Sequence, residues 1–263
     1  MMFEPIFAPI TTGQLTLRLA ESVADVHAAQ RLRYRIFCEE MGGVANRDVQ
    51  QQKRDFDRFD DACYHLLVLD NNRVGDARVV GTYRILTRSN MPKVGSFYTE
   101  TEYNIDKLKA FSGEIMELGR SCVEQQYRTR PVIQLLWQGI GAFIAAADIK
   151  LMFGCASFHG VNIREHIHAI SYLCHYHLAP ENVRPTALPE HYVSMNLMAK
   201  EDVVPRAAIN ALPPLIKGYI RLNGFVGDGA VLDYAYNTCD VSIVLRTDQM
   251  QARYADRYMP EAE

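Results

Sequence analysis

The chain has 263 residues, with 28 Lys plus Arg against 31 Asp plus Glu, so its formal net charge is −3 with the eight His neutral. Hydrophobic residues make up 48% and charged residues 22%, a globular composition unlike that of a disordered chain and long enough to bury a sizeable core. So near-neutral a balance argues against nucleic-acid binding, which needs a positive field to neutralise phosphates, and leaves room for a local basic patch facing an acidic protein.

A membrane span is not expected either. The most apolar stretch, 132–158, is interrupted by Gln134, Gln138, Asp148 and Lys150, and its uncharged pieces fall short of the roughly 20 residues a span needs. The opening MMFEPIFAPITTG holds an acid and two prolines and lacks the basic region of a secretory signal. Cysteines at 38, 63, 122, 155, 174 and 239 form no CxxC, and several lie in apolar runs, which suits buried free thiols in a reducing compartment. The expectation is a soluble cytoplasmic protein.

In chain order, residues 15–20 (LTLRLA) alternate apolar and polar as a half-buried strand does. Ser22 is placed to cap a helix over 23–41, which Gly42 and Gly43 end. A polar segment over 44–62 has no clear assignment. Residues 65–70 and 79–86 read as two strands of a hairpin around an Asn-Asn turn, and 87–112, rich in Pro, Gly, Ser and Asn, as a long excursion. EIMELGRSCV at 114–123 is a further strand. Pro131 opens a helix over 132–148 that is apolar nearly all round and therefore buried. A strand at 151–158, helices at 163–178 and 212–222 and a strand at 240–246 follow, with 179–211 unassigned. Strand–helix–strand from 114 to 158 implies a right-handed crossover between parallel strands, with a helix N-terminus after the third strand as a favourable place for ligand oxygens.

Several residues invite a chemical reading. Glu117 and Arg120 interrupt an apolar strand and are costly there unless paired or used. Three apart on a strand they face opposite ways unless Gly119 admits a bulge. They read either as a structural ion pair or as a general base and an anchor for a charged substrate. Arg33 and Phe37, four apart, share a helix face. RDFDRFDD sets Asp55, Asp57, Asp60 and Asp61 around two Phe, as a solvated turn or as a cradle for a cation. The spacing of His166, His168, His175 and His177 does not make a metal site, since neither i, i+2 pair shares a helix side. Gly139–Ile140–Gly141 sits inside the buried helix and reads as a close-packing feature, not a dinucleotide fingerprint.

The motifs RYRIFCEEMG, DFDRFDDACYHLLVLD, VVGTYRIL, IMELGRSCV, LLWQGI and LMFGCASFHG fall in an order that resembles the ornithine-lipid acyltransferases, the ornithine–acyl-carrier-protein N-acyltransferases of the GNAT-like superfamily. The likeness covers about 15–160 and continues in LPPLIKGYIRLNGFVGDGAVLDYAYNTCDVSIVL. The N-terminal half is similar, more distantly, to acyl-homoserine-lactone synthases, whose Arg and Phe four apart, DxxD, strand Arg and ExxR are matched by Arg33 and Phe37, Asp57 and Asp60, Arg84, and Glu117 and Arg120. The Trp that follows the first helix in those synthases is absent. The glycine-rich pyrophosphate loop of coenzyme A acetyltransferases is also missing, since Tyr127-Arg128-Thr129-Arg130-Pro131-Val132 holds no glycine.

What the resemblance implies is one GNAT-like α/β domain over 1–263, a mixed central sheet flanked by helices, with 179–263 as a C-terminal extension. It implies transfer of a 3-hydroxy fatty acyl group from acyl-carrier protein to the α-amine of ornithine, giving a lyso-ornithine lipid. Glutamine, lysine or glycine as acceptor is the neighbouring alternative, and a non-catalytic carrier- or lipid-binding module the alternative from another class. Glu117 is then the base, and backbone N–H groups near 117–123 and the helix opening at Pro131 hold the oxyanion. Tyr172 or Tyr176 is the proton donor, and Arg120 or Arg84 the carboxylate partner. Asp57 or Asp60 meets the side-chain ammonium, with Arg33, Phe37 and Ser157 completing the substrate site. Arg128 and Arg130 face the acidic carrier, and Trp137 and Phe153 line an acyl slot. No permanently bound cofactor or metal is expected; the donor is the acyl thioester on the carrier's phosphopantetheine. Since the product is lipidic, peripheral contact with the inner membrane is expected.

Overall fold

A computed structural model describes residues 6–250 of the chain. In order its elements are β1 (Ile10–Thr12), β2 (Leu15–Leu19), α1 (Val23–Tyr34), α2 (Arg47–Gln52), β3 (Tyr64–Asp70), β4 (Val79–Thr87), β5 (Tyr103–Asn104) and α3 (Asp106–Lys109). There follow β6 (Glu114–Val123), α4 (Arg130–Ala146), β7 (Ile149–His159), α5 (Ile167–Tyr176), β8 (Thr186–Ala187), α6 (Pro205–Ala211), α7 (Pro214–Arg221), β9 (Phe225–Asp233) and β10 (Thr238–Arg246). They divide into two compact units that interleave along the chain, and β6 begins in one and ends in the other.

Within the described residues, unit one comprises 6–95 and 118–149. Its strands run β1-β2-β3-β4, antiparallel throughout, with β6 beside β4. Strand alternation gives the sheet two apolar faces. On one, Leu67, Leu69, Val79 and Cys122 pack against Ala28, Ala29 and Leu32 of α1. On the other, Leu17 and Leu66 lie so close under α4 that a Cβ on Gly139 would sit 2.7 Å from Leu17 and 2.9 Å from Leu66. The glycine of the GIG run is thus a packing device, as its place inside an apolar helix suggested.

Ser22 caps α1, its hydroxyl accepting from the Asp25 N–H at 3.2 Å. Beyond Tyr34 the expected helix continues as a π-helical turn over Arg35–Glu40 and stops at Gly42, whose φ is +79°. The unassigned 44–62 segment contains α2, capped by Asn46, and a tight turn at Asp60–Ala62. The β3–β4 pair forms with His65 opposite Arg84. Its connection is longer than a two-residue Asn-Asn turn and includes a 3-10 turn at Gly75–Arg78.

Unit two comprises Ser96–Glu117 and Lys150–Gln251, described to residue 250. Here β10 lies between β7 and β9, antiparallel to both, and β8 joins β9 in parallel and β5 antiparallel. Strand β9 was not legible, because Gly227, Asp228 and Gly229 sit in its middle. The structure requires these glycines. A Cβ at Gly227 would meet the Pro185 carbonyl at 2.9 Å, and one at Gly229, where φ is +86°, would lie 2.6 Å from the Tyr192 ring. Helix α7 covers 214–221 of the expected 212–222, and β10 begins two residues before the expected strand.

Candidate active site

Unit one gathers three arginines and three aspartates from α1, the 55–60 loop, β4 and β6. The Arg33 side chain is 1% exposed, yet its Nε donates to Asp55 Oδ2 at 2.7 Å and its Nη1 to Asp60 Oδ1 at 2.9 Å. Arg84 donates to Asp57 Oδ1 at 2.7 Å and to Asp60 Oδ1 at 3.2 Å. Arg120 Nη2 reaches Asp57 Oδ2 at 3.2 Å, and its Nε lies 3.4 Å from Asp55 Oδ2. Gln30 Nε2 adds a bond to Asp60 Oδ2 at 3.1 Å. Three positive charges meet three negative ones, which offsets the cost of burying most of them. Burial alone would raise the Asp55 and Asp60 carboxyls, but Arg33 outweighs it, joined by Arg120 at Asp55 and by Arg84 at Asp60. Both are held below the ordinary carboxylate range.

Two members reach the cluster's edge: the Asp57 side chain is 25% exposed and that of Arg120 11%. Arg120 has a φ of +51°. The break in the strand therefore falls on the arginine itself and not on Gly119, interrupting side-chain alternation at the position that aims the guanidinium into the cluster. His65, opposite Arg84, donates from Nε2 to the Asp60 carbonyl at 3.0 Å. Burial first, then the neighbouring Arg33, pushes it down to about 4, although Asp60 pulls the other way. Phe37, in the π-helical turn that follows α1, packs against the apolar cluster around Leu32 and Cys122. Trp137 is buried on α4. Arg128 has a partner in Glu40 at 2.8 Å and donates to the Val123 carbonyl at 3.0 Å. The Arg130 side chain lies outside the described residues.

Unit two holds Glu117, buried in β6. Its carboxylate accepts from the Tyr98 N–H at 2.9 Å, the Thr99 N–H at 2.6 Å and the Thr99 hydroxyl at 2.6 Å. The turn over Tyr98–Thr101 is pinned by these bonds, and the carboxylate becomes a fixed anion. The Cys155 thiol lies 4.0 Å from Thr99 Oγ1. Phe153 on β7 stands edge-on to Phe97, ring centres 5.0 Å apart. Tyr172 is buried on α5, stacked on Tyr176, and its hydroxyl lies 3.1 Å from His177 Nε2. Burial raises this phenol and lowers His177. Ser157 is exposed on β7, directly opposite Asp240 of β10.

The histidines disperse: His166 bonds the His159 carbonyl and His175 the Met198 carbonyl. Among the described residues a different group converges, Glu102, Asp233 and Asp240, whose ligand oxygens all lie within 4.8 Å of one another. Sequence reasoning missed it. Glu102 lies in the excursion, and Asp233 and Asp240 come together only because β9 and β10 form a hairpin; the run DYAYNTCD held the one visible signal.

Residues 32–138 match the acetyltransferase (GNAT) domain family. The chain is 45% identical to the L-ornithine N(alpha)-acyltransferase of Rhizobium meliloti (strain 1021) over 254 residues, 95% of this chain and 86% of that protein. It is 37% identical to the L-ornithine N(alpha)-acyltransferase of Rhodobacter capsulatus, covering 94% of this chain and 95% of that one. Among solved structures, that of the CoA-dependent acyl-homoserine lactone synthase BjaI with SAM and isopentyl-CoA aligns with 91% of this chain and 85% of its own, at 14% identity and a TM-score of 0.46. On the near-complete match to its relatives, the chain belongs to the L-ornithine N(alpha)-acyltransferase family, with the mixed α/β fold of GNAT acyltransferases.

Proposed function

We propose that this chain transfers a fatty acyl group, 3-hydroxylated in the expected case, from the thioester of acyl-carrier protein to the α-amine of ornithine. The observation that carries the reading is similarity along nearly the whole chain, at 37% to 45% identity, to relatives named as L-ornithine N(alpha)-acyltransferases; the acyl-carrier donor is part of the proposal. The neutral amine attacks the thioester carbon, the C–N bond forms and the carbonyl oxygen becomes an oxyanion. Backbone N–H groups along 117–123 are the oxyanion donors in this reading; the φ of +51° at Arg120 interrupts the strand's regular pattern there. Collapse of the adduct expels the phosphopantetheine thiolate.

Glu117 receives the amine proton. After C–N bond formation the nitrogen is far more acidic than a free ammonium, so a carboxylate held in place by three donors is a sufficient acceptor. Tyr172, with His177 behind it, returns a proton to the thiolate. Within the charged cluster, Arg120 is the arginine with the most access, and exchange of Asp57 for an incoming carboxylate is the step it is suited to. Arg33 and Phe37 support that cluster and its helix, and Ser157 is a substrate-binding residue in this reading. Trp137 and Phe153 supply apolar surface for the acyl chain, at about 0.8 kcal/mol per buried CH₂. Arg128 and Arg130 meet the carrier, and the lipidic product is released at the inner membrane face. Among the described residues no helix is long and apolar enough to cross a membrane.

Incubating the purified chain with acyl-carrier thioester and, separately, ornithine, lysine, glutamine and glycine tests this reading by mass spectrometry. N-acyl-ornithine as the dominant product is expected. Dominance of another acceptor would reassign the substrate, and carrier binding without thioester loss would replace the enzyme by a binding module.

A further inference from the structure

The histidines of unit two differ in what their ring nitrogens meet. His166 and His175 place Nε2 on the backbone carbonyls of His159 and Met198, which can only accept. His177 meets a side-chain hydroxyl instead: its Nε2 lies 3.1 Å from the Tyr172 oxygen, with the ring centres 5.1 Å apart. Its Nδ1 has no partner among the described residues and is open to solvent, unlike that of His65, which is buried.

The backbone of His177 is fixed from two sides. Its N–H closes α5 by donating to the Leu173 carbonyl at 2.9 Å, and its carbonyl accepts from the Val226 N–H of β9 at 2.8 Å. Tyr172 is 8% exposed and stacks on Tyr176, ring centres 5.2 Å apart. Among the described residues His177 is the only hydrogen-bond partner of its hydroxyl. That isolation matters to a proton donor. A buried phenolate is unfavourable, and burial accordingly raises the Tyr172 phenol. A phenol so placed gives up its proton poorly unless a donor meets the charge left on its oxygen. Burial also lowers His177, so its ring is neutral at about pH 7 and carries a single N–H.

We propose that His177 is the positioning residue for proton transfer from Tyr172, with its N–H held at Nε2 and donated to the Tyr172 oxygen. The proposal rests on the acyl-transfer reading above, in which Tyr172 protonates the departing thiolate. On the solvent side water donates to Nδ1, which suits the tautomer with its proton at Nε2. With His177 on the acceptor side of the oxygen, the phenol O–H is left for the sulfur. As the C–S bond breaks, its electron pair goes to sulfur, which takes the Tyr172 proton, and the phenolate keeps the Nε2–H bond. It regains a proton from solvent once product leaves. His177 itself neither gains nor loses one.

The test follows thioester loss from acyl-carrier protein, at saturating ornithine, in wild type, His177→Leu, His177→Gln, Tyr172→Phe and the His177→Leu, Tyr172→Phe double variant. His177→Leu is expected to lower kcat about tenfold or more with little change in KM. His177→Gln, which keeps an N–H donor, is expected to recover part of that loss. In the Tyr172→Phe background the change at 177 is expected to cost less than about twofold, because its target is gone. With the thiophenyl ester of the same acid, whose thiolate leaves without a proton, the losses of both single variants shrink. Should His177→Leu fail to fold, His177→Gln is compared on the same two donors. Undiminished turnover in His177→Leu, equal losses on both donors, or a loss that persists in the Tyr172→Phe background would each overturn the proposal, the last two leaving His177 a structural role. Full turnover in Tyr172→Phe would overturn it by taking Tyr172 out of the donor role. Absence of thioester loss in wild type would instead sink the reading on which it rests.

Discussion

Asp60 shows how far a single residue is committed by its surroundings. Both its oxygens accept from arginines, Oδ2 also accepts from Gln30, and its carbonyl accepts from His65. Replacing it with Ala leaves Arg33 and Arg84 buried and short of a counter-charge. Asp60→Ala is therefore expected to lose about 3–5 kcal/mol in urea unfolding; a loss under about 1 kcal/mol would mean that water reaches the cluster and screens it. Glu117→Gln removes one acceptor oxygen from three donors. It is expected to cost about 1–3 kcal/mol of stability and at least about 100-fold in turnover, measured as thioester loss. Full turnover would take Glu117 out of the proton-accepting role. The residue types at both places were readable, because an acid or arginine in an apolar strand demands an explanation. Which aspartate meets which arginine was not, since Asp55, Asp57 and Asp60 lie within six positions and only the turn at 60–62 separates their directions.

At the scale of elements, α4 depends on a close approach. Gly139→Val would push a branched side chain into Leu17 and Leu66, both completely buried, and is expected to destabilise by about 2–3 kcal/mol in thermal unfolding. Stability equal to wild type would show that the helix can lift off the sheet at no cost. Helix α4 and strands β3, β4, β6, β7 and β10 were legible because their apolar periodicity or runs are long. Strand β9 hid behind its glycines, which exist for contacts with Pro185 and Tyr192 far away in sequence. The π-helical turn at Arg35–Glu40 and the positive φ at Arg120 were equally out of reach, since each is imposed by packing and not by a residue type that favours it.

The whole molecule carries these local choices into its pH dependence. His65 is neutral in the folded chain down to about 4, whereas in the unfolded chain it takes up a proton from about 6.5 downward. Between those values the unfolded state binds more protons, so stability falls as pH falls from 6.5 toward 4, by up to about 3 kcal/mol. Asp55 and Asp60, depressed when folded, add their loss only as pH falls below about 3.8. Urea titrations from pH 7 to pH 4 are expected to show that decline in wild type and a shallower one in His65→Gln; parallel curves would remove His65 as its cause. The net charge of −3 describes none of this, because it averages over three arginines set against three aspartates in one unit. The most direct measurement is the structure of the product made from acyl-carrier thioester and ornithine, read by fragmentation mass spectrometry. The expected product carries one acyl group on the α-nitrogen, with the δ-amine free and one thioester consumed per molecule. Acyl on the δ-nitrogen, or thioester left intact with ornithine present, would contradict the account.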